Sequence, residues 1–212
     1  MPKISQPRRD ARRQQILAAA LACFSDEGFH QTGMAEIVRR SGLSHGAVYG
    51  YFASKDDIIE ALADDRHLRE AMMNAAAETA ADPFAGLCAL VRAYGQWLGD
   101  PAGVPGRRVG MHGWAEALRN PRVRTRVLAG IDSPRATITW LVERAQAAGQ
   151  MPRALNAEAI ARSLIALLQG FVLQVSWGEP VNLDACIAVI ERMLRGLADP
   201  ARQEVADEEG AS

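Results

Sequence analysis

Between Ser44 and Lys55 the chain reads SHGAVYGYFASK, a set of side chains suited to hydrogen bonding with a polyanion rather than to covalent chemistry. Serine and tyrosine hydroxyls and the histidine ring can each donate and accept. With Val48 and Phe52 buried, Ser44, His45, Tyr49 and, in part, Gly46 are left facing outward. Gly46 has no side chain to hold off an approaching backbone. Lys55 opens a helix, where its ammonium and free backbone amides can meet a phosphate together. Thr32, at the start of an earlier short helix, can do the same with its hydroxyl, and Gly33 beside it is counted with the DNA-binding set. Lys3, Arg8, Arg9, Arg12 and Arg13 crowd the start of the chain, and the arm before Asp10 is expected to be mobile enough to track a phosphate backbone or enter a minor groove. Taken together these residues describe a phosphate clamp around a base-reading helix.

Signals for other chemistry are missing. The sequence holds no phosphate-binding glycine loop, no nucleophile elbow and no zinc-protease helix. Asp64, His67 and Glu70 on one helix are the only candidate metal ligands, and bundle metal sites need carboxylates converging from several helices. We therefore expect no catalytic residue, no metal, no cofactor and no enzymatic activity. The alternative to a DNA-binding protein is a helical interaction or metal-binding protein without operator binding. Cys23, Cys88 and Cys186 are far apart in apolar settings and read as reduced core thiols.

The elements that must position these groups are helical. Strand-like alternation is absent, and Ala, Leu, Arg and Glu recur at three- and four-residue steps, so the fold class is all-α. A first helix reads from Asp10 to Glu27, ending at Gly28. Thr32 caps a second helix through Arg40, Gly42 breaks it, and Ser44 caps a third. Ser54 to Asp57 is a capping box that opens a long helix to Thr79. Asp82-Pro83 starts the next, followed by a loop over 100–106 and a helix over 109–118. A helix from Asn120-Pro121 should kink or restart near Pro134. Asn156 caps an apolar helix to Trp177, and a last helix runs from Leu183 to Leu197. Two short helices joined at Gly42 have the geometry of a helix-turn-helix. Such a pair can also be plain packing, and it is the exposed Ser44-His45-Gly46, the aromatic cluster and Lys55 together that favour DNA. The expected domains are a DNA-binding domain over 10–70, a larger helical domain over 71–198 and an acidic tail over 199–212, disordered by composition.

The run SGLSHGAVYGYFASKDDI, Ser41 to Ile58, resembles the signature of the TetR family of bacterial transcriptional regulators, and the resemblance covers 10–62 closely. It implies an N-terminal three-helix bundle with a helix-turn-helix, followed by a larger ligand-binding and dimerisation domain. It carries DNA contact onto Thr32, Ser44, His45, Gly46, Tyr49, Tyr51 and Lys55, with Gly50 at a position where members vary. The stretch Trp114 to Pro121 also resembles the family, whose last two helices form a four-helix bundle across a two-fold axis. Here those helices offer Leu164, Leu168, Phe171 and Val175, and Ile187, Ile190 and Leu194, as apolar stripes for a homodimer. Trp97, Met111, His112, Trp114, Trp140 and Gln169 are large or polar residues in the C-terminal half that suit the wall of a pocket for a small hydrophobic effector. The expected function is a ligand-responsive repressor bound to double-stranded palindromic operator DNA. At 49% hydrophobic and 23% charged residues the composition suits a soluble protein. Without a run of ~20 apolar residues or an apolar leader, we expect no membrane association and a cytoplasmic location.

Overall fold

The computed structural model describes residues 6–198, including their side chains except at residues 65–73 and 76. Lys3, the acidic tail and the side chains of His67 and Glu70 fall outside the described residues. Within them the chain is all-α, without strands. The helices are α1 (Gln6–Gln31), α2 (Met34–Ser41), α3 (His45–Tyr49), α4 (Lys55–Glu78), α5 (Pro83–Gly99), α6 (Val104–Glu116), α7 (Pro121–Ala147), α8 (Ala157–Ser176) and α9 (Leu183–Ala198).

Local chemistry sets most of the helix starts. Ser44 Oγ accepts from the Ala47 amide (3.3 Å). The expected capping box at α4 is present: Ser54 Oγ accepts from the Asp57 amide (3.2 Å) and the Ser54 amide donates to Asp57 Oδ2 (2.9 Å). Asp82 and Asn156 cap α5 and α8 in the same way. Such caps satisfy helix amides that have no partner within the helix.

Three helix boundaries differ from expectation. Helical structure resumes after Gly28 and reaches Gln31, with Gly28 at φ 77°, ψ 172° as the break. Gly33, rather than Thr32, occupies the cap position of α2. The proline-containing turn at Pro105 lies inside α6, because proline fits the first turn of a helix. Helix α7 passes through Pro134 without ending; the single lost backbone bond is offset by burial of Thr137, Ile138, Leu141 and Val142 just beyond.

The chain forms two compact units. One comprises the residues up to Leu68 together with Ala102–Ala129; the other comprises Arg69–Pro101 and the residues from Gly130 onward. The first is built around Ile16, Leu17, Phe24, Phe29, Ile37, Val48, Phe52 and Ile58. The second is built around Leu87, Val91, Ile138, Leu141, Val142, Leu164, Leu168, Ile190 and Leu194. In it α5 and α9 approach closely because Gly95 has no side chain: a Cβ there would lie 2.5 Å from Ile187 Cγ1. Helix α8 is long and apolar enough to cross a membrane by length and composition. Its inward face, Ile160, Ala161, Leu164, Leu168 and Val172, is part of the core.

Candidate nucleic-acid interface

The α2–turn–α3 segment is braced from three sides. Gly42 takes the left-handed conformation (φ 67°) that glycine adopts freely, and its amide donates to the Arg39 carbonyl. Ser41 is buried; its Oγ donates to the Val38 carbonyl (2.9 Å) and accepts from the Leu43 amide (3.3 Å). From α1, Gln15 Nε2 donates to the Ser41 carbonyl (2.7 Å). Val48 and Phe52 seat α3 in the core.

That seating turns Ser44, His45, Gly46 and Tyr49 to the surface. The His45 and Tyr49 rings stack at 4.2 Å with 25° between planes, so the two side chains form one aromatic ledge. A Cβ built on Gly46 meets nothing within 4 Å, which leaves the helix backbone accessible at that point. Gly33 is exposed and provides no side-chain cap, so the first amides of α2 lack a side-chain acceptor and remain open to an anion.

Other expected contacts are placed differently. Thr32 is only 1% exposed and its hydroxyl donates to the Gly28 carbonyl (2.8 Å); it closes the turn after α1 and has no surface to give a phosphate. Lys55 Nζ donates to the Phe29 and Thr32 carbonyls, so its ammonium chiefly stitches α4 to the same turn and keeps one N–H to spare. Tyr51 is half-buried against the core. Arg8 and Arg9 belong to helix α1 and are exposed, rather than lying in a mobile arm. As cations at the positive end of a helix dipole, they gain from a nearby external anion.

Burial raises the Cys23 and Cys88 thiols above their ordinary pKa, consistent with unreactive core thiols. The Arg39 guanidinium hydrogen-bonded to Glu36 lowers that carboxyl, so the pair carries little net charge beside the turn.

The same unit contains residues that the motif did not indicate. On α6, His112 lies over Phe29 (6.1 Å between ring centres) and beside Gly28, and His30 Nε2 is 2.8 Å from Glu116. Arg122 and Arg126 of α7 pair with acidic residues of α4. Only the type of each residue was visible beforehand; the partners are distant in sequence.

The six expected pocket residues are divided between the units. Met111, His112 and Trp114 lie on α6 in the first, and Trp97, Trp140 and Gln169 lie in the second. Trp140 is an exposed ring with the Arg144 guanidinium 4.6 Å above it. It lines a surface groove of about 620 Å³ between α7 and the start of α8, whose walls include Asp132, Arg135, Glu143 and Glu158. Of the six residues the groove takes in Trp140 alone, and its wall is charged rather than apolar.

The residues of the expected dimer stripe lie mostly inside their own unit. Leu164, Leu168, Ile187, Ile190 and Leu194 are all buried in the core of their own unit. Phe171 and Val175 are half-buried. The outward apolar residues are Leu167 and Trp177 on and just after α8, and Val189, Met193 and Leu197 at four-residue steps along α9.

A family model described as bacterial regulatory proteins, tetR family, matches residues 16–62, and one described as BetI-type transcriptional repressor, C-terminal, matches 107–199. The chain is similar to the HTH-type transcriptional regulator BetI of Yersinia pestis (strain Pestoides F), 31% identical over 126 residues; the match covers 58% of this chain and 62% of that one. Among solved structures, Salmonella enterica GusR superposes with a TM-score of 0.74 at 25% identity, covering 93% of this chain and 99% of its own. A transcriptional regulator from Saccharomonospora viridis in complex with choline superposes with a TM-score of 0.71 at 26% identity, covering 88% and 95%. With a helix-turn-helix, a helical C-terminal unit and matches to both, the chain belongs to the TetR family of bacterial regulatory proteins.

Proposed function

We propose that the protein is a cytoplasmic, homodimeric transcriptional repressor that binds a palindromic operator and is released from it by a small-molecule effector. The observation that carries this reading is the exposed Ser44, His45, Gly46 and Tyr49 on a short helix whose own core contacts and braced turn fix its orientation. Hydroxyl and imidazole groups held rigidly can read base edges in a major groove, while the first amides of α2 and the α1 arginines meet the backbone. Lys55 contributes through its spare N–H and by holding α4 against the α1–α2 turn. Two copies joined through the outward apolar residues of α8 and α9 would present two such helices to half-sites ~34–36 Å apart.

Effector binding acts on operator affinity by favouring a conformation that binds DNA less well. A tenfold release needs only ~1.4 kcal/mol of differential affinity. Helix α4 begins at Lys55 and ends at Glu78, so a shift of its far end is felt where it meets the DNA-reading unit. The choline complex of the Saccharomonospora viridis relative adds small organic cations to the hydrophobic molecules worth testing as effectors.

Fluorescence anisotropy with the DNA upstream of the protein's own gene tests the reading. We expect salt-sensitive binding and a loss of ~10- to 100-fold in affinity for Tyr49→Ala, with the assembly state unchanged. A wild-type protein that captures no fragment from a genomic library would remove the regulator reading altogether.

A further inference from the structure

We infer that Arg122, assisted by Arg126, is a positioning residue for operator binding: it touches no DNA but holds the acidic start of α4 in the register that DNA binding requires. The inference rests on the function proposed above.

Four carboxylates, Asp56, Asp57, Glu60 and Asp64, crowd the first three turns of α4, directly after the segment that carries the recognition helix. Acidic residues suit a helix N-terminus, yet a cluster of them beside a phosphate-binding surface repels the ligand. Two arginines of α7 answer this charge. Arg122 Nε and Nη2 lie 3.0 and 2.7 Å from Glu60 Oε1, and its guanidinium is 4.0 Å from both Asp56 and Asp57. Arg126 Nη1 is 3.1 Å from Asp64 Oδ1, and Nη2 is 3.9 Å from the second oxygen of Glu60. Glu60 is therefore shared, and two arginines and four acids form one network.

Each pair is exposed to solvent, and singly such pairs contribute little. Position gives this network its effect. Asp57 also accepts from the Ser54 amide in the capping box, so Arg122 acts on the turn that leads from α3 into α4. The backbone at Arg122 is fixed, because Asn120 Oδ1 accepts from the Arg122 and Val123 amides (3.1 and 3.4 Å) and Val123 is buried. All of these residues lie in one compact unit.

The test uses the full chain and its operator, with Arg122→Ala, Arg122→Glu, Glu60→Arg and the reversed pair Arg122→Glu/Glu60→Arg. Arg92→Ala, which removes an exposed ion pair with Glu191 in the other unit, is the control. We expect Arg122→Ala to weaken operator binding by roughly 3- to 30-fold, Arg122→Glu to weaken it further, and the reversed pair to recover most of the loss. The dependence of log Kd on log salt should keep its slope, because no phosphate contact is lost. Backbone amides over 53–60 should exchange hydrogen faster in Arg122→Ala with or without DNA. A slope smaller by about 0.9 would make Arg122 a direct phosphate ligand and overturn the inference. So would unchanged exchange, unchanged affinity, or failure of the reversed pair to recover. Wild-type protein that binds no DNA would defeat the proposed function instead, and the exchange measurement would still report on the brace.

Discussion

Individual residues divide into those whose role follows from their neighbours in sequence and those whose role depends on a remote partner. Gly46 and Tyr49 are of the first kind; burying Val48 is enough to turn them outward. Thr32 is of the second, since its hydroxyl is committed to a carbonyl that only the break at Gly28 brings near. Gly28 itself was legible as a helix stop with Phe29 returning to the core after it, but not as a bend beyond which helical structure resumes. Its φ of 77° and ψ of 172° lie in a region that side-chain-bearing residues essentially do not occupy. A Cβ would sit 3.5 Å from the His112 ring, an ordinary contact, so the cost of Gly28→Ala is backbone strain of about 2 kcal/mol. Thermal unfolding followed by circular dichroism should show a fall of roughly 4–8 °C. An unchanged midpoint would mean that the turn is not held in this conformation.

Four helices began where local capping said they should, because a cap needs only residues within three positions: Ser44, Ser54 with Asp57, Asp82 and Asn156 all serve this way, whereas Thr32 does not cap α2. How two helices approach was not legible, since it depends on residues about a hundred positions apart. Gly95 is the example. Nothing around it in sequence distinguishes it from other helical glycines, yet it is the point where Ile187 of α9 rests on α5. Gly95→Ala places a methyl group 2.5 Å from Ile187 Cγ1 and should destabilise by about 1–3 kcal/mol through overpacking. Urea unfolding would register this as a lower midpoint with the same slope, and the cost of Gly95→Ala should be smaller when measured in an Ile187→Ala background. If Gly95→Ala is neutral, the close approach of α5 and α9 is wrong.

For the whole molecule, the proposed assembly turns on which apolar residues are left over once the core is filled. Helix α8 is apolar around most of its circumference, and only 28% of its most apolar window is buried; with Val189, Met193 and Leu197 it leaves an uncovered apolar surface of the kind that marks an interface. Met193→Asp should yield monomers in sedimentation at micromolar concentration and weaken operator binding with little change in monomer unfolding. Leu194→Ala, one residue on, should instead lower stability by about 2–5 kcal/mol, since Leu194 is 1% exposed. A stable Met193→Asp dimer would reject this face as the contact. The sequence by itself determined the all-α class, the starts of α3, α4, α5 and α8, the helix-turn-helix and the outward set Ser44, His45, Gly46 and Tyr49, because periodicity, caps and glycine turns act over a few residues. Only the tertiary structure decided that Thr32 and Lys55 are tied to the α1–α2 turn, and that Leu164, Leu168, Ile187, Ile190 and Leu194 are core while Leu167, Val189 and Met193 are surface. It also paired Arg122 with the start of α4. These are outcomes of burial and long-range contact: a stripe of leucines reads the same whether it faces its own unit or another copy, and charges some sixty residues apart acquire partners only when the chain has folded.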